Sequence, residues 1–332
     1  MKRLLVKIVL YFIALQSFIF ASSFTFFTPE LFGKPFVSDI RSSIIKFEEG
    51  FINDLGNFYY IPNYDKRPFS ELHIGTDIPL LSYRMHSDKA YLKVTSVFTG
   101  VCTVILDALE PTHRMVINTD YWLGMEFRSV LYHPMLEKLK LRNIGLNFIP
   151  IFHESTHLGD EFVIYALNEG TDFYRLNVSY ESWVISLTLN DPDTLKGNIF
   201  STRIGMQDIW FKSDGFYQYK LSETQGQDLL MSERLFEYWL QLNWRRTKGF
   251  AASEMFHQIT SLELRDRIKY GYIIEDPERR TWNINAYIGW EYQSKSDRKV
   301  GGYLRTYYGI NPHGQLRNID GFYFVGLSLV LM

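Results

Sequence analysis

The segment from Ile151 to Glu161 contains residue types and spacings that could support catalysis. It reads IFHESTHLGDE and includes HESTH, which matches the zinc-protease pattern H-E-x-x-H at His153, Glu154 and His157. In that pattern the two histidines bind one zinc ion and the glutamate acts as a base. The same letters offer a second chemistry, because His153 and Ser155 could act as a base and a nucleophile.

The periodicity around this segment predicts a β-strand. From Arg142 to His157, apolar side chains alternate with polar ones, and only Ile149 and Ile151 interrupt the polar face. Residues four apart on a strand are separated by about 13 Å, whereas zinc needs both nitrogens at about 2 Å. The sequence therefore predicts no metal site at HESTH.

Composition narrows the class of protein. The 332 residues contain 35 Lys and Arg against 37 Asp and Glu, so the chain lacks the basic excess of a nucleic-acid-binding protein. The single cysteine, Cys102, cannot form an internal disulfide. The 26 Phe, 22 Tyr and 7 Trp are spread over the whole length, as expected for a protein with two apolar surfaces.

The N-terminus has the three-part pattern of a secretory signal peptide. Lys2, Arg3 and Lys7 precede an apolar run from Ile8 to Phe20, and small residues follow at 21–23. The run is shorter than the roughly 20 residues that a membrane-spanning helix needs. We therefore expect a signal peptide over residues 1–23 and a single exported domain over residues 24–332.

Alternation recurs along the rest of the chain and ends in a strand from Phe322 to Met332. About 12 such segments behind a signal peptide predict an all-β, antiparallel transmembrane β-barrel in the bacterial outer membrane, with membrane lipid as its partner. A soluble periplasmic β-sandwich is the alternative. The predicted strands other than 142–157 and 322–332 lie near 71–81, 90–106, 115–128, 174–189, 198–211, 216–223, 236–246, 251–265, 282–293 and 301–310.

In such a barrel, side-chain parity decides which residues face the lumen. His153 and Ser155 share the parity of Asn143, Gly145 and Asn147, and a second polar face follows on the next strand. We therefore expect a polar, hydrogen-bonded cluster in the lumen. A bulge at Pro150 would reverse this assignment. The expected members are His153, Ser155, His157, Arg175, Asn177, Ser179 and Glu181.

An alternative interpretation is catalytic. His153 and Ser155 match the first and third positions of the His-Gln-Ser-Asn-Gly motif of outer-membrane phospholipase A, which the segment resembles. The resemblance implies a twelve-stranded acyl hydrolase with Ser155 as nucleophile, His153 as base and Asn177 as the residue that orients the histidine. Thr156 and His157 replace the Asn-Gly of that enzyme.

A second resemblance extends over nearly the whole mature chain. Residues 153–161 resemble the signature His-x-Ser-Ser-His-Leu-Gly-Asp-Glu of a family of uncharacterised bacterial outer-membrane proteins, with Thr156 as the departure. Residues 31–41 and 307–315 resemble two further segments of that family. The resemblance implies an outer-membrane barrel without an established activity, so a structural, binding or permeation role and an unspecified small-molecule ligand stay open beside the hydrolase.

Asp160 and Glu161 follow Gly159 at a predicted strand end. Two adjacent carboxylates at a barrel rim could bind calcium, and the alternative is a solvated loop. No other cofactor is predicted.

Overall fold

The computed structural model describes most of the chain after residue 20. The described residues are 21–27, 32–34, 36–39, 41, 44–53, 68–87, 90–108, 115–170, 172, 174–177, 179–193, 197–212, 217–220, 222–223, 227–228, 235–247, 255–268, 280–294, 299–316 and 321–332.

Twelve antiparallel strands form a closed barrel wall, because the first and last of them pair with each other. The wall strands are β2 (Ile45–Asn53), β3 (Pro68–His86), β4 (Tyr91–Asp107), β5 (Val116–Tyr132), β6 (Ile144–Leu158), β8 (Ser179–Leu189), β9 (Ile199–Lys212), β12 (Leu235–Thr247), β13 (Phe256–Ile268), β14 (Arg280–Gln293), β15 (Lys299–Gly309) and β16 (Phe322–Leu331).

The remaining elements are short. β1 (Ala21–Phe26) pairs with the second half of β3. A separate three-stranded sheet contains β7 (Tyr174–Asn177), β10 (Tyr217–Lys220) and β11 (Gln227–Asp228). The helices are α1 (Pro134–Lys138), α2 (Asp160–Asn168) and a 3-10 turn at Gly314–Leu316. Among the described residues, no helix is long and apolar enough to cross a membrane.

The two faces of the wall differ in polarity, as the alternation predicts. On β15, Tyr303, Arg305 and Tyr307 are buried in the lumen, while Leu304 and Tyr308 are exposed on the outside. Other strands repeat this arrangement of apolar outer and polar inner side chains, which is typical of a barrel in a membrane. The predicted all-β, antiparallel barrel is confirmed.

One predicted wall strand was wrong and one wall strand was missed. The segment 216–223 contains β10 of the small sheet, and the wall instead includes β2, which the prediction missed. The sequence of β2 has Lys46 and Glu48 on its inward face, where both are fully buried. In the sequence these charges are typical of a solvated loop, so no wall strand was predicted here. In the structure both side chains have partners inside the lumen.

A plug segment, the described residues of 32–44, fills part of the lumen. β1 and β2 pair with the same edge of β3, and the described residues between them, such as Phe36 and Ser38, are buried in the barrel interior. Arg203 Nη2 donates to the carbonyls of Gly33 (3.1 Å) and Lys34 (2.7 Å). Asn285 donates to the carbonyl of Ser38 at 2.7 Å. Because the wall supplies side-chain donors to the plug backbone, the plug needs no regular secondary structure.

Helix α2 caps one end of the lumen. Phe162 and Ala166 are buried, and they pack with Leu316 of the 3-10 turn against inward side chains such as Ile117 and Phe69. The lumen is therefore apolar at this end and polar beside the plug.

Of the predicted signal peptide, residues 1–20 lie outside the described part, and the following residues begin β1.

Candidate functional site

A β-bulge in β6 determines which way the HESTH side chains point. The pairing of β6 shifts between Ile149 and Phe152 against β8, and it also shifts against β5. Before the bulge the odd-numbered Asn147 is buried and the even-numbered Phe148 is exposed, whereas after it the even-numbered Glu154 is buried. An extra residue in a strand exchanges the two faces beyond it.

His153, Ser155 and His157 consequently lie on the outer face of the wall, and not in the lumen as parity predicted. Their neighbours on β5 support this placement. Ser155 lies opposite Tyr121, which is 42% exposed, and His153 lies opposite Leu123, which is 47% exposed. The prediction assumed an unbroken strand, and the bulge at Ile149–Pro150–Ile151 breaks it.

Glu181 is the partner of His153. The two residues lie opposite each other on β6 and β8, and Glu181 Oε1 is 3.1 Å from His153 Nδ1. Both side chains are partly exposed on the outer face. A carboxylate that accepts from Nδ1–H fixes the tautomer and leaves Nε2 free to accept a proton.

The other predicted members of the cluster divide into two groups. Ser179 lies opposite Ser155 on β8. Asn177 and Arg175 belong to β7, which pairs with β10 and not with β6, and their side chains are outside the described part. Position therefore makes Glu181, and not Asn177, the residue beside His153.

His157 completes this outer surface. Its ring centroid is 6.0 Å from that of Tyr121, in an edge-on arrangement at 67°. Ser155 thus has a histidine two residues away on either side. We call this set the outer-wall patch, and its members are Tyr121, His153, Ser155, His157, Ser179 and Glu181.

Asp160 and Glu161 form the first turn of α2, where acidic side chains favour the positive end of the helix dipole. Gly159 precedes them, and a Cβ there would lie 1.8 Å from the carbonyl oxygen of Val116. The Gly-Asp-Glu part of the signature is therefore explained by a tight turn from strand to helix. Calcium binding by these acids stays a prediction.

Glu154, between the two histidines, points into the lumen and is fully buried. Its Oε2 accepts hydrogen bonds from Tyr180 Oη at 2.5 Å and from Arg41 Nη2 of the plug at 3.0 Å. The sequence indicated Glu154 only as the base of the zinc-protease pattern, and its inward position was not predicted. The available signal was the pair of isoleucines that interrupts the polar face, since it marks the bulge that turns Glu154 inward.

A second titratable cluster lies in the lumen on the opposite side of the plug. Glu48, Glu71 and His73 have ligand atoms within 4.8 Å of one another. Arg305 contacts both carboxylates, and its distance to Glu71 is 2.9 Å. Because Arg305 pairs with both acids and two histidines, His73 and His313, also contact Glu71, the cluster is explained by ion pairing.

Some buried groups outside the wall strands have displaced pKa values, and His313 and Asp191 are two of them. Burial alone would lower the pKa of His313, but Glu71 and Asp120 raise it to about 9. Burial and the neighbouring Asp193 raise the pKa of Asp191 to about 6. Asp191 also accepts a hydrogen bond from the amide of Gly33 at 2.8 Å, so it helps to hold the plug.

A family model described as "Protein of unknown function (DUF1207)" matches residues 34–204, which is just over half of the 332 residues. No curated protein matches the chain.

Solved structures of bacterial β-barrels resemble the chain in fold alone. Outer membrane phospholipase A from Escherichia coli is 10% identical, with 88% of this chain and 93% of that chain covered and a TM-score of 0.44. The Salmonella typhi outer membrane phospholipase, a dimer with bound calcium, is 10% identical, with coverage of 92% and 93% and a TM-score of 0.43. The β domain of the Bordetella autotransporter BrkA is 7% identical, with coverage of 87% and 99% and a TM-score of 0.38.

Proposed function

Because the chain belongs to the DUF1207 family, whose function is unknown, its activity must be argued from its own site, and we propose that it hydrolyses acyl esters of membrane lipids at its outer wall. One observation carries the proposal. The bulge in β6 puts His153 and Ser155 on the lipid-facing surface, where Glu181 is hydrogen-bonded to the histidine.

The proposed roles follow from the chemistry of each group. Ser155 is the nucleophile, His153 Nε2 takes its proton, and Glu181 stabilises the imidazolium that forms. Residues two apart on one face of a strand are separated by roughly 7 Å, which an imidazole can bridge towards a hydroxyl. His153 then protonates the leaving alcohol, and water hydrolyses the acyl-serine by the reverse sequence of proton transfers.

Tyr121 and His157 are the proposed oxyanion donors. Tyr121 lies opposite Ser155 on β5, and His157 lies on the far side of Ser155 from the base. Both carry hydrogen-bond donors, whereas the backbone amides of this segment take part in the strand ladder. The edge-on contact between the two rings would hold them in place.

The surrounding surface suits an acyl chain. Leu123, Met125 and Ile151 are exposed on the same face: Leu123 lies opposite His153, and Met125 and Ile151 lie beyond it towards the middle of the barrel wall. An acyl chain lying along the wall would contact these side chains, while its ester lies beside Ser155. We therefore propose a lipid substrate that approaches from the membrane and not through the lumen.

The position of the outer-wall patch also suggests which leaflet of the outer membrane it faces. The connections 54–67 and 213–234 join strands whose connected ends lie at the same end of the wall as His157, and the connections 87–90 and 294–298 join strand ends at the other end. Outer-membrane barrels have short periplasmic turns and longer extracellular loops. We propose that the patch faces the external leaflet, after export by the N-terminal signal peptide.

Fatty-acid release from phospholipid by the purified protein in detergent tests the proposal. We expect hydrolysis by the wild type and its loss in Ser155→Ala. The matched control is Ser129→Ala, because Ser129 lies on the outer face of β5, away from the patch, and bonds to a backbone carbonyl. Full activity in Ser155→Ala, or no hydrolysis by folded wild-type protein, would end the hydrolase proposal.

A further inference from the structure

Three consecutive residue pairs join β6 to β8 at the outer-wall patch, and they alternate between the two faces of the wall. The first and third pairs lie on the outer face and contain the proposed catalytic groups, whereas both members of the middle pair are buried in the lumen. The middle pair therefore shares its backbone with the residues on either side. In order, the pairs are His153 with Glu181, Glu154 with Tyr180, and Ser155 with Ser179.

The backbone ladder is irregular at this place. β6 shifts register between Ile149 and Phe152, and β8 shifts against β9 between Glu181 and Ser182. A slip of one residue would move His153 and Ser155 to the opposite face. Because the interrupted hydrogen-bond ladder determines the strand register only weakly, side-chain contacts must hold it.

The middle pair supplies such a contact. Tyr180 Oη donates to Glu154 Oε2 at 2.5 Å, which joins the two strands from the lumen side. Arg41 Nη2 donates to the same oxygen at 3.0 Å. A buried carboxylate that is paired and hydrogen-bonded in this way strongly favours one arrangement of its partners, because any other leaves a charge unpaired.

Arg41 contacts β6 on both sides of His153. Its guanidinium carbon is 5.9 Å from the ring centroid of Phe152, and Phe152 and Glu154 are the inward residues that flank His153. Gln207 on β9 accepts a further hydrogen bond from Arg41. The plug thereby holds the strand segment whose outer face carries the patch.

We infer that Arg41, Glu154 and Tyr180 are positioning residues, which hold β6 and β8 in the register that brings His153 against Glu181. The catalytic consequence rests on the proposed hydrolase function, whereas the structural consequence does not. The plug would then control the geometry of a site on the other side of the wall.

Nuclear magnetic resonance of protein with isotopically labelled histidine, in detergent micelles, tests this link without any need for activity. The ring signals of His153 are assigned by their loss in His153→Gln. We expect Tyr180→Phe and Arg41→Met to shift them in the direction seen in Glu181→Gln.

The matched control is Tyr287→Phe. Tyr287 is also buried, and its hydroxyl donates to Glu48 at 2.8 Å on the far side of the lumen. This variant should leave the His153 signals unchanged. Wild-type positions of those signals in both Tyr180→Phe and Arg41→Met would overturn the inference.

Hydrolysis supplies the second readout. We expect Tyr180→Phe to lower kcat about 10-fold with KM within about twofold, because misplaced catalytic groups slow the chemical step without weakening lipid binding. If the folded wild type hydrolyses no lipid, the proposed function fails, while the His153 signals still decide the inference.

Discussion

Glu181 Oε1 lies 3.1 Å from His153 Nδ1 across the β6–β8 pairing, on the outward face of the barrel wall. This contact joins two residues that are 28 apart in the chain. The face of the wall on which they meet depends on a bulge a few residues away in β6. The orientation of one histidine thus connects the packing of the wall to the proposed chemistry.

Glu181→Gln should lower lipid hydrolysis, because the amide cannot stabilise the imidazolium as the carboxylate does. We expect kcat to fall by about 100-fold, within the range for loss of acid–base assistance. Asn177→Ala should have little effect, since Asn177 lies on β7 and not beside His153. The opposite result, with Asn177 essential and Glu181 dispensable, would restore the orienting role predicted from the sequence. Steady-state kinetics of both variants decides between them.

Spin labels at positions 155 and 156 should report opposite faces of the wall. In a Cys102→Ser background, a label introduced by Ser155→Cys should collide readily with lipid-soluble oxygen, whereas one introduced by Thr156→Cys should be protected. The reason is the alternation after the bulge, where Thr156 is buried. Electron paramagnetic resonance measures both accessibilities in bilayers. A protected label at 155 and an accessible one at 156 would place HESTH in the lumen.

The wild-type protein should show no steady conductance in planar bilayers. The plug crosses the lumen and the apolar cap formed with α2 covers one end. Deletion of residues 32–39 together with Phe162→Ser should produce measurable conductance, because it removes plug contacts and weakens the cap. A conducting wild type would favour a permeation role. Equal and negligible conductance in both proteins would contradict the assignment of the plug as the barrier.

His313 should stabilise the fold in a pH-dependent manner. Its pKa is about 9 in the folded protein against an ordinary value of 6.5, so its stabilising effect is complete below pH 6.5 and is lost as the pH rises through 9. The maximum effect is about 3 kcal/mol of unfolding free energy. The stability difference between wild type and His313→Gln should shrink across this range. A constant difference would contradict the proposed pairing with Glu71 and Asp120.

Gly159→Ala should destabilise the turn between β6 and α2. The added Cβ would lie 1.8 Å from the carbonyl oxygen of Val116, so backbone must move. We expect a loss of about 1–3 kcal/mol, as for other overpacked sites. Gly302→Ala is the control, because a Cβ at Gly302 meets nothing within 4 Å. Thermal unfolding of both variants in detergent checks the prediction, and equal effects would refute it.

The barrel could be predicted from the sequence because alternation is a local property. Each wall strand must put apolar side chains towards lipid and polar ones inward, and this pattern can be read without knowledge of its neighbours. β2 shows where that fails. Its inward charges are explained by partners from other parts of the chain. Glu48 pairs with Arg305, which follows 257 residues later, and Lys46 donates to backbone carbonyls of the plug.

Most members of the candidate site could be predicted from the sequence, but Tyr121 and the arrangement of the site could not. His153 and Ser155 were identified by residue type and spacing, and Glu181 was assigned to the same polar cluster. Its direct contact with His153 was not predicted, because Asn177 has the residue type expected from the phospholipase resemblance. The choice between them depends on which residue of the next strand pairs with β6.

The amino-acid sequence by itself determined a closed antiparallel barrel and the residues that could do chemistry on β6. The tertiary structure decided which side of the wall they face. The isoleucines on either side of Pro150 indicate a bulge, but a bulge is defined by how one strand pairs with its neighbours. Its position follows from how β5 and β8 pair with β6, and those pairings are contacts between residues distant in the chain.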